Sequence, residues 1–254
     1  MITCNSLKVG YIDPILQCEQ ISFTTGELYC LIGKNGAGKS TFLKTLMGDI
    51  APLSGKITIA NRPLSLIEPN EKAKLIAFVP SKFDGIPFLT SYEFIAKGRI
   101  PYTNFFGNLS LKDKEIINEA VEFTKVGYLL DKETTLLSDG ERQLISITRA
   151  LAQDTPYILL DEPTSFLDPE NKLKLFSLLS KISKSKNKLC LISTHDIEFS
   201  KLFCTNYLVI SQKTKTITLE KFSNNSSNLD IYKKGFEEAY LFLTQRTDNP
   251  LDFG

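Results

Sequence analysis

Residues 26–47 read GELYCLIGKNGAGKSTFLKTLM, in which an apolar run, a glycine-rich turn and a helical pattern follow one another directly. The apolar run at residues 28–32 is typical of a short buried strand. The turn and the pattern after it predict a helix from about residue 38 to residue 47. Similar apolar runs at residues 75–79, 157–160 and 189–193 each precede turn residues and a helical pattern. Repeated units of this kind predict a mainly parallel sheet with helices on both faces.

Two other regions depart from this alternation of strand and helix. Residues 3–9, 20–23 and 56–60 predict edge strands of a small antiparallel sheet. Between residues 82 and 151 the strand signal fades, and residues 90–93 and 110–113 have the spacing of helix capping boxes. We therefore expect an α/β fold in one domain, residues 1–254. Its core (residues 1–81 and 152–254) includes an N-terminal antiparallel β subdomain, residues 82–151 form an inserted α-helical subdomain, and a final helix lies near residues 231–243.

The composition is that of a globular chain with a full hydrophobic core. Hydrophobic residues make up 42% of the 254 residues, and 30 Lys and Arg balance 29 Asp and Glu. With so little net charge we expect no nucleic-acid partner. Five scattered cysteines and a single histidine predict reduced, buried thiols in a cytosolic protein rather than a disulfide or metal framework. Without a leader or a run of about 18 apolar residues, the chain itself is not expected to cross a membrane.

The glycine-rich turn fits the pattern G-x-x-x-x-G-K-[ST]. Glycines let backbone N–H groups surround a phosphate, and the following helix directs its positive end at the same anion. Lys39 can reach the β- and γ-phosphates of a nucleotide, and the Ser40 hydroxyl can ligate Mg²⁺. A glycine turn without a ligand is the alternative, and the strand before it and the helix after it argue against that. The predicted nucleotide-binding residues are Gly33, Lys34, Asn35, Gly36, Ala37, Gly38, Lys39, Ser40 and Thr41.

Two carboxylates end the apolar run YILLDEP at residues 157–163. If this strand neighbours the one before the glycine turn, both acids lie beside the phosphates. We expect Asp161 to hold Mg²⁺ and Glu162 to accept a proton from an attacking water. His195, the only histidine, follows another apolar run and could contact the γ-phosphate and orient Glu162 or the water. Acids at a strand end and a lone histidine are also common as purely structural features.

Further motifs accompany these residues. LSDGERQ occupies residues 137–143, SFLD occupies residues 165–168, and Tyr11 precedes the glycine turn. In kind and in order the motifs resemble those of the ATP-binding cassette (ABC) ATPases, and the resemblance covers essentially the whole chain. It implies a P-loop NTPase (RecA-like) fold, bound ATP and Mg²⁺, and ATP hydrolysis. It also implies that adenine stacks on Tyr11 and that His195 is the switch histidine.

The resemblance implies, in addition, that two copies of the chain face each other head to tail. LSDGERQ of one copy would then complete the nucleotide site of the other. Residues 138 and 141 have capping-box spacing, so a helix that starts here directs N–H groups and its positive end outward. A simply capped helix is compatible with that role. The residues implied to act on the partner copy are Ser138, Asp139, Gly140, Glu141 and, in the loop between protomers, Asp168.

The chain departs from the family's pattern at two positions. Asp139 stands where the family usually has glycine, while Ser138 and Gly140 are retained. Ser81, in the loop after residues 75–80, stands where the family usually has a glutamine that reaches Mg²⁺ and the membrane partner. A serine hydroxyl spans that distance only through a bridging water. We assign Ser81 to the outer contacts of the metal, and poor hydrolysis is a possibility that this replacement raises.

Residues 98–106, GRIPYTNFF, resemble a segment of the importers for iron-siderophore, haem and cobalamin. The likeness lies in Arg99, Pro101, Tyr102, Phe105 and Phe106. Aromatic side chains here suit a groove for a cytoplasmic helix of a permease, and packing inside the lobe is the equal alternative. The resemblance implies an ATP-hydrolysing importer subunit on the cytoplasmic side of the inner membrane, working with a permease and, indirectly, a substrate-binding protein. A permease-independent ATPase in metal-cluster assembly or regulation is the alternative.

Overall fold

The computed structural model describes residues 1–221 and arranges their strands in one sheet. The strands are β1 (Ile2–Gly10), β2 (Pro14–Phe23), β3 (Leu28–Ile32), β4 (Ser54–Ile59), β5 (Arg62–Pro63), β6 (Ile76–Val79), β7 (Tyr157–Asp161), β8 (Leu189–Thr194), β9 (Asn206–Ser211) and β10 (Thr216–Lys221). The α-helices are α1 (Lys39–Met47), α2 (Pro69–Leu75), α3 (Ser91–Ala96), α4 (Leu111–Thr124), α5 (Asp139–Ala152), α6 (Pro169–Ser185) and α7 (Ile197–Phe203). The strand order is β5-β4-β1-β2-β10-β9-β3-β8-β7-β6.

The parallel core confirms the predicted sheet. Strands β9, β3, β8, β7 and β6 are parallel neighbours, and every residue of β7 and β8 is buried. Burial on both faces explains why these strands are continuous apolar runs. The registers pair Ile32 with Thr194 and Asp161 with Ser193. The glycine turn, the two acids and His195 therefore follow strand ends at one edge of the sheet.

The antiparallel strands at the N-terminus are present, but they are not a separate small sheet. Strand β1 pairs with β2 and β4, as predicted for residues 3–9, 20–23 and 56–60. Strand β2, however, begins at Pro14, and its Gln17 pairs with Thr216 of β10. This pairing joins the antiparallel strands to the core through β10 and β9, two strands that the pattern did not reveal. Exposed polar residues between its buried ones weaken the apolar signal of β2.

Helices α3, α4 and α5 lie between β6 and β7 and form what we call the helical lobe. Capping boxes start all three helices: Thr90 with Glu93, Ser110 with Asp113, and Ser138 with Glu141. A single hydrophobic cluster runs from Ile117 of α4 through Leu144 of α5 to Leu160 of β7. The lobe therefore shares its core with the sheet, and the boundaries at residues 82 and 151 stay predictions.

An ion pair is buried inside the helical lobe. Arg99 Nε lies 2.9 Å from Asp113 Oδ1, and the two side chains are 4% and 7% exposed. The Arg99 guanidinium also donates to the Ala152 carbonyl and lies 3.9 Å from the centroid of the Tyr102 ring. Burial raises the pKa of the Asp113 carboxyl, but hydrogen bonds from Ser110 and Arg99 outweigh it and hold this pKa below its usual value.

Replacing Asp113 by alanine is expected to lower the free energy of unfolding by about 3 kcal/mol, because a buried guanidinium loses its counter-charge. Since the pKa of Asp113 is lowered on folding, its contribution is present above the pKa of the unfolded chain and is lost as the pH falls through the folded value. Chemical denaturation of both proteins measures the difference. The control is Asp84→Ala, which removes an exposed pair with Lys82 and should cost less than about 0.5 kcal/mol. Equal losses of unfolding free energy in the two variants would contradict the assignment of Arg99 and Asp113 as a buried ion pair.

Two expectations concern the chain as a whole. All five cysteines are buried free thiols, as predicted. Among residues 1–221, no helix has both the length and the apolar character needed to span a bilayer. The helix expected near residues 231–243 lies outside the described residues.

Candidate nucleotide-binding and catalytic site

The glycine turn after β3 has the shape of a phosphate cradle. Gly36 and Gly38 have φ angles of +76° and +94°, in the left-handed region that favours glycine. A Cβ on Gly38 would lie 2.9 Å from Leu16 Cδ1, so a larger residue would collide with β2 as well. Helix α1 has no side-chain cap and no acidic residue in its first turn. Its first N–H groups are therefore directed at the turn without a competing carboxylate, which is the arrangement that binds an anion.

Lys39 lies inside the cradle. Its side chain is 4% exposed, and Nζ donates to the carbonyl oxygens of Gly33 at 2.9 Å and Lys34 at 3.3 Å. Nζ also lies 2.8 Å from Glu162 Oε1. A buried ammonium that is held by the loop's own carbonyls and one carboxylate is fixed at the centre of the site. It is placed to contact the terminal phosphates of a nucleotide.

Glu162 directly follows β7 and has an unusual backbone conformation. Its φ is +43°, a value that costs a non-glycine residue energy. Its N–H donates to Ser193 Oγ at 2.8 Å, and Ser165 Oγ donates to Glu162 Oε2 at 3.2 Å. Burial raises the pKa of the Glu162 carboxyl, but the hydrogen bond and charge of Lys39 outweigh it and leave this pKa below its usual value. The carboxylate is ionised at neutral pH, as a proton acceptor must be.

Asp161 ends β7 and is 8% exposed. Ser193 Oγ donates to Asp161 Oδ1 at 2.6 Å, so one serine on β8 holds both acids in place. Ser40 lies in the first turn of α1 and is exposed. A carboxylate and a hydroxyl are the hard oxygen donors that Mg²⁺ prefers, and the assignment of Asp161 and Ser40 to this ion stays a prediction. Sequence reasoning missed the role of Ser193. The signal that could have revealed it is a polar residue near the end of an otherwise apolar strand.

His195 and Tyr11 are both accessible. His195 Nδ1 lies 3.5 Å from Glu162 Oε2, and the side chain is 47% exposed. The structure thus brings Lys39, Glu162 and His195 together. Tyr11 lies between β1 and β2 with 68% of its surface exposed, so its ring is free to stack on a planar ligand.

None of the contacts described for the residues predicted to act on a second copy joins them to Lys39. Ser138 Oγ accepts from the Glu141 N–H, and Glu141 Oε2 accepts from the Ser138 N–H at 2.8 Å. A Cβ on Gly140 would meet Leu167 Cδ2 at 3.6 Å, an ordinary contact. The fold of this chain therefore leaves room for a side chain at Gly140. Asp168 caps α6 by accepting from the Asn171 N–H at 2.8 Å.

The two departures from the family pattern occupy one neighbourhood. Asp139 is paired with Arg142, whose Nη2 lies 2.6 Å from Asp139 Oδ1. The arginine balances the extra charge that Asp139 brings to the start of α5, and sequence reasoning missed this contact. Ser81 lines a small cavity together with Asp139, Arg142 and Gln143. None of the contacts described for Ser81 joins it to Asp161, so its assignment to the metal stays a prediction.

A phosphate cradle on a parallel sheet, with Lys39, Asp161, Glu162 and His195 at one edge and the capped helix α5 at the end of the helical lobe, defines an ATP-binding cassette ATPase. The family model described as ABC transporter matches residues 17–165, and the chain belongs to this family.

Similarity to known proteins in sequence and in structure supports the same family assignment. Iron(3+)-hydroxamate import ATP-binding protein FhuC of Bacillus subtilis is 31% identical over 252 residues, which cover 98% of this chain and 93% of FhuC. An uncharacterized ABC transporter ATP-binding protein of Methanocaldococcus jannaschii is 39% identical over 201 residues, or 79% of this chain and 69% of that protein. A chain from an inward-facing structure of a candidate metal-chelate type ABC transporter superposes with a TM-score of 0.75 at 29% identity, covering 87% of this chain and 82% of that one.

Proposed function

We propose that this chain is the ATP-hydrolysing subunit of an importer for iron-siderophore or a related metal chelate, with haem and cobalamin as the other candidate substrates. The observation that carries this proposal is the match to an iron-hydroxamate import protein over nearly the whole of both chains. The cluster of Lys39, Glu162 and His195 supports the ATPase role. Energy would reach the substrate through a permease, so no substrate pocket is expected in this chain.

In the proposed site, residues 33–41 hold the phosphates of ATP and Tyr11 stacks on adenine. Ser40 and Asp161 would hold Mg²⁺, with Ser81 in its outer contacts, and the ion would supply positive charge at the terminal phosphates. Glu162 accepts a proton from water, whose oxygen bonds to the γ-phosphorus while the bond to the β,γ-bridging oxygen breaks. The products are ADP and phosphate, and Glu162 passes its proton to the phosphate or to solvent as they leave. His195 Nδ1, 3.5 Å from Glu162, orients the carboxylate or the water.

A second copy would complete each site. In the capping box of α5 the N–H groups of Ser138 and Glu141 are already bonded. The N–H groups of Asp139 and Gly140 remain at the start of the helix, and Gly140 leaves space that this chain's own fold does not require. Both features suit close approach of another copy's γ-phosphate. We infer that two copies pair head to tail, with Ser138, Asp139, Gly140 and Glu141 of one copy facing Lys39 of the other. Asp168 lies in the contact between them.

A groove of about 470 Å³ between α2, β6 and α5 is the proposed binding site for the permease. Ala73, Ile76 and Phe78 supply apolar lining. Gln153 of the α5 C-cap donates to the carbonyl oxygens of Ala73 and Ile76 and so joins the walls of the groove. An amphipathic helix from the cytoplasmic face of a permease fits such a groove. This contact would place the chain on the inner membrane.

The aromatic turn next to this groove is exposed. Phe105 and Phe106 are 98% and 82% exposed, so packing inside the lobe is excluded for these two rings. Tyr102 is partly covered, with Lys74 of α2 5.3 Å and Arg99 3.9 Å from its centroid. The turn therefore extends the proposed permease surface beyond α2.

Replacing Ala73 by arginine is expected to abolish recovery of the chain with membranes, because a long charged side chain would fill the groove. ATP binding should stay within about threefold, since Ala73 lines the groove and not the cradle, and surface substitutions rarely disturb folding. The control is Asn118→Arg, which adds the same charge to the exposed face of α4. Membrane recovery that is equal for the two variants would contradict the groove assignment.

Transport by the chain reconstituted with its co-purifying membrane protein tests the function. Uptake of iron chelates, scanned beside haem and cobalamin, is the expected result. Recovery of a cytosolic complex without any membrane protein would instead favour the permease-independent ATPase in metal-cluster assembly or regulation. ATP turnover no faster than that of the Glu162→Gln variant would show that Ser81 accompanies a loss of hydrolysis.

A further inference from the structure

Asp196, the residue after His195, does not make the helix-capping hydrogen bond that its position predicts. It is the N-cap of α7, where an aspartate usually accepts a hydrogen bond from an N–H in the first turn. Its side chain makes no such bond. The carboxylate accepts instead from Thr164 Oγ1 at 2.6 Å and lies 2.7 Å from Lys172 Nζ. With 10% of the side chain exposed, these contacts are largely shielded from water.

The two partners of Asp196 belong to other parts of the site. Thr164 is fully buried and lies two residues after Glu162. Lys172 is in the first turn of α6, where its N–H donates to the Asp168 carbonyl at 2.9 Å. Its ammonium also lies 5.8 Å from the centroid of Phe199 in α7. One carboxylate therefore joins the segment of His195, the segment of Glu162 and the helix that begins after Asp168.

We propose that Asp196 is a positioning residue for ATP hydrolysis, and that its bonds to Thr164 and Lys172 hold His195 against Glu162. This inference rests on the proposed roles of Glu162 and His195. The contact to be held is a long one, 3.5 Å from His195 Nδ1 to Glu162 Oε2, and nearly half of the imidazole is exposed. Charge-assisted hydrogen bonds are short and directional, so the buried carboxylate supplies the rigidity that the imidazole's surroundings do not.

Asp196→Ala in the full-length chain is expected to lower kcat for ATP about 30-fold, because small displacements of a catalytic group cost up to about 100-fold. The dissociation constant for ATP should change by less than about threefold, since the cradle is untouched. Thr164→Val keeps the shape of the buried side chain and removes one of the two bonds, so about a fivefold fall in kcat is expected. This second variant keeps the test available if Asp196→Ala does not fold.

The decisive comparison repeats each substitution in a His195→Ala background. If Asp196 acts through His195, its removal there should change kcat by less than about twofold, since the two groups act as a unit. A fall by the same factor in both backgrounds would overturn the proposal, because a general structural defect multiplies with the loss of His195. A kcat for Asp196→Ala equal to that of the unaltered chain would overturn it as well.

A matched control comes from the same helix. Lys174→Met removes an ion pair with Glu170, 2.9 Å long, two residues beyond Lys172. It should leave kcat within about twofold, as expected of a pair on the helix surface, while Lys172→Met lowers it about fivefold by the positioning argument. If His195→Ala itself leaves kcat unchanged, the proposed role of His195 fails. If His195→Ala lowers kcat but its effect and that of Asp196→Ala multiply independently, the proposed role of Asp196 fails and that of His195 stands.

Discussion

Glu162→Gln is expected to lower the rate of ATP hydrolysis about 1000-fold, because an amide of the same shape cannot accept the proton of the attacking water. The side-chain oxygen can still accept from Lys39 Nζ, which lies 2.8 Å from the carboxylate in the unaltered chain. The cradle should therefore keep its shape, and ATP should bind within about threefold of its normal affinity. Phosphate release in single-turnover and steady-state assays measures the first effect, and equilibrium titration with ATP measures the second.

Glu170→Gln is the matched control, since it makes the same chemical change in the exposed first turn of α6. It should leave hydrolysis within about twofold. A Glu162→Gln variant that keeps more than a tenth of the normal rate would show that another group accepts the proton.

The lowered pKa of Glu162 has a further consequence. The carboxylate stays ionised as the pH falls toward its ordinary range, so loss of activity just below neutral pH would not come from this group.

The core of the site was predictable because its signals are local. A glycine turn, a strand end with two acids and a capping box are each written in a few consecutive residues, and the sheet then places them along one edge. Strands β9 and β10 pair with each other locally, but they join the sheet through β3 and β2, which lie far away in the chain and leave no signal in the local pattern. Sequence patterns reveal elements more readily than the contacts between them.

The same limit explains which site residues were missed. Ser193 holds Asp161 and Glu162 from a neighbouring strand, and Asp196 meets Thr164 from a position 32 residues away. Arg142 was missed although it lies only three residues from Asp139 on a helix that the sequence predicts, where oppositely charged side chains at this spacing face each other. An aspartate there is favourable to the helix N-terminus. The paired arginine balances that charge, so the departure at residue 139 leaves the capping box of Ser138 and Glu141 intact.

The proposed head-to-tail pairing leads to a prediction that concerns two copies of the chain together. Lys39→Ala removes the ammonium from a copy's own cradle, and Ser138→Arg places a bulky cation where a second copy's γ-phosphate should lie. Each variant alone should hydrolyse ATP at less than about one hundredth of the normal rate, since Lys39→Ala removes a stabilising charge from every site and Ser138→Arg sterically blocks the approach of α5 to every site. In an equal mixture, half of the pairs are mixed, and each mixed pair has one intact site. The mixture should therefore regain about one quarter of the normal rate.

Ser110→Arg is the control for Ser138→Arg, because it disrupts the equivalent capping box of α4 away from the nucleotide. Both changes should cost about 1 kcal/mol of stability through the lost cap, but only Ser138→Arg should stop hydrolysis. The mixing experiment distinguishes a role of Ser138 within its own chain from a role at the nucleotide site of the other copy, which the single variants cannot do. If Ser138 served only its own chain, mixed pairs would gain nothing, and the mixture would be as inactive as its components. Recovery of activity requires that the start of α5 in one copy act on the nucleotide held by Lys39 of the other.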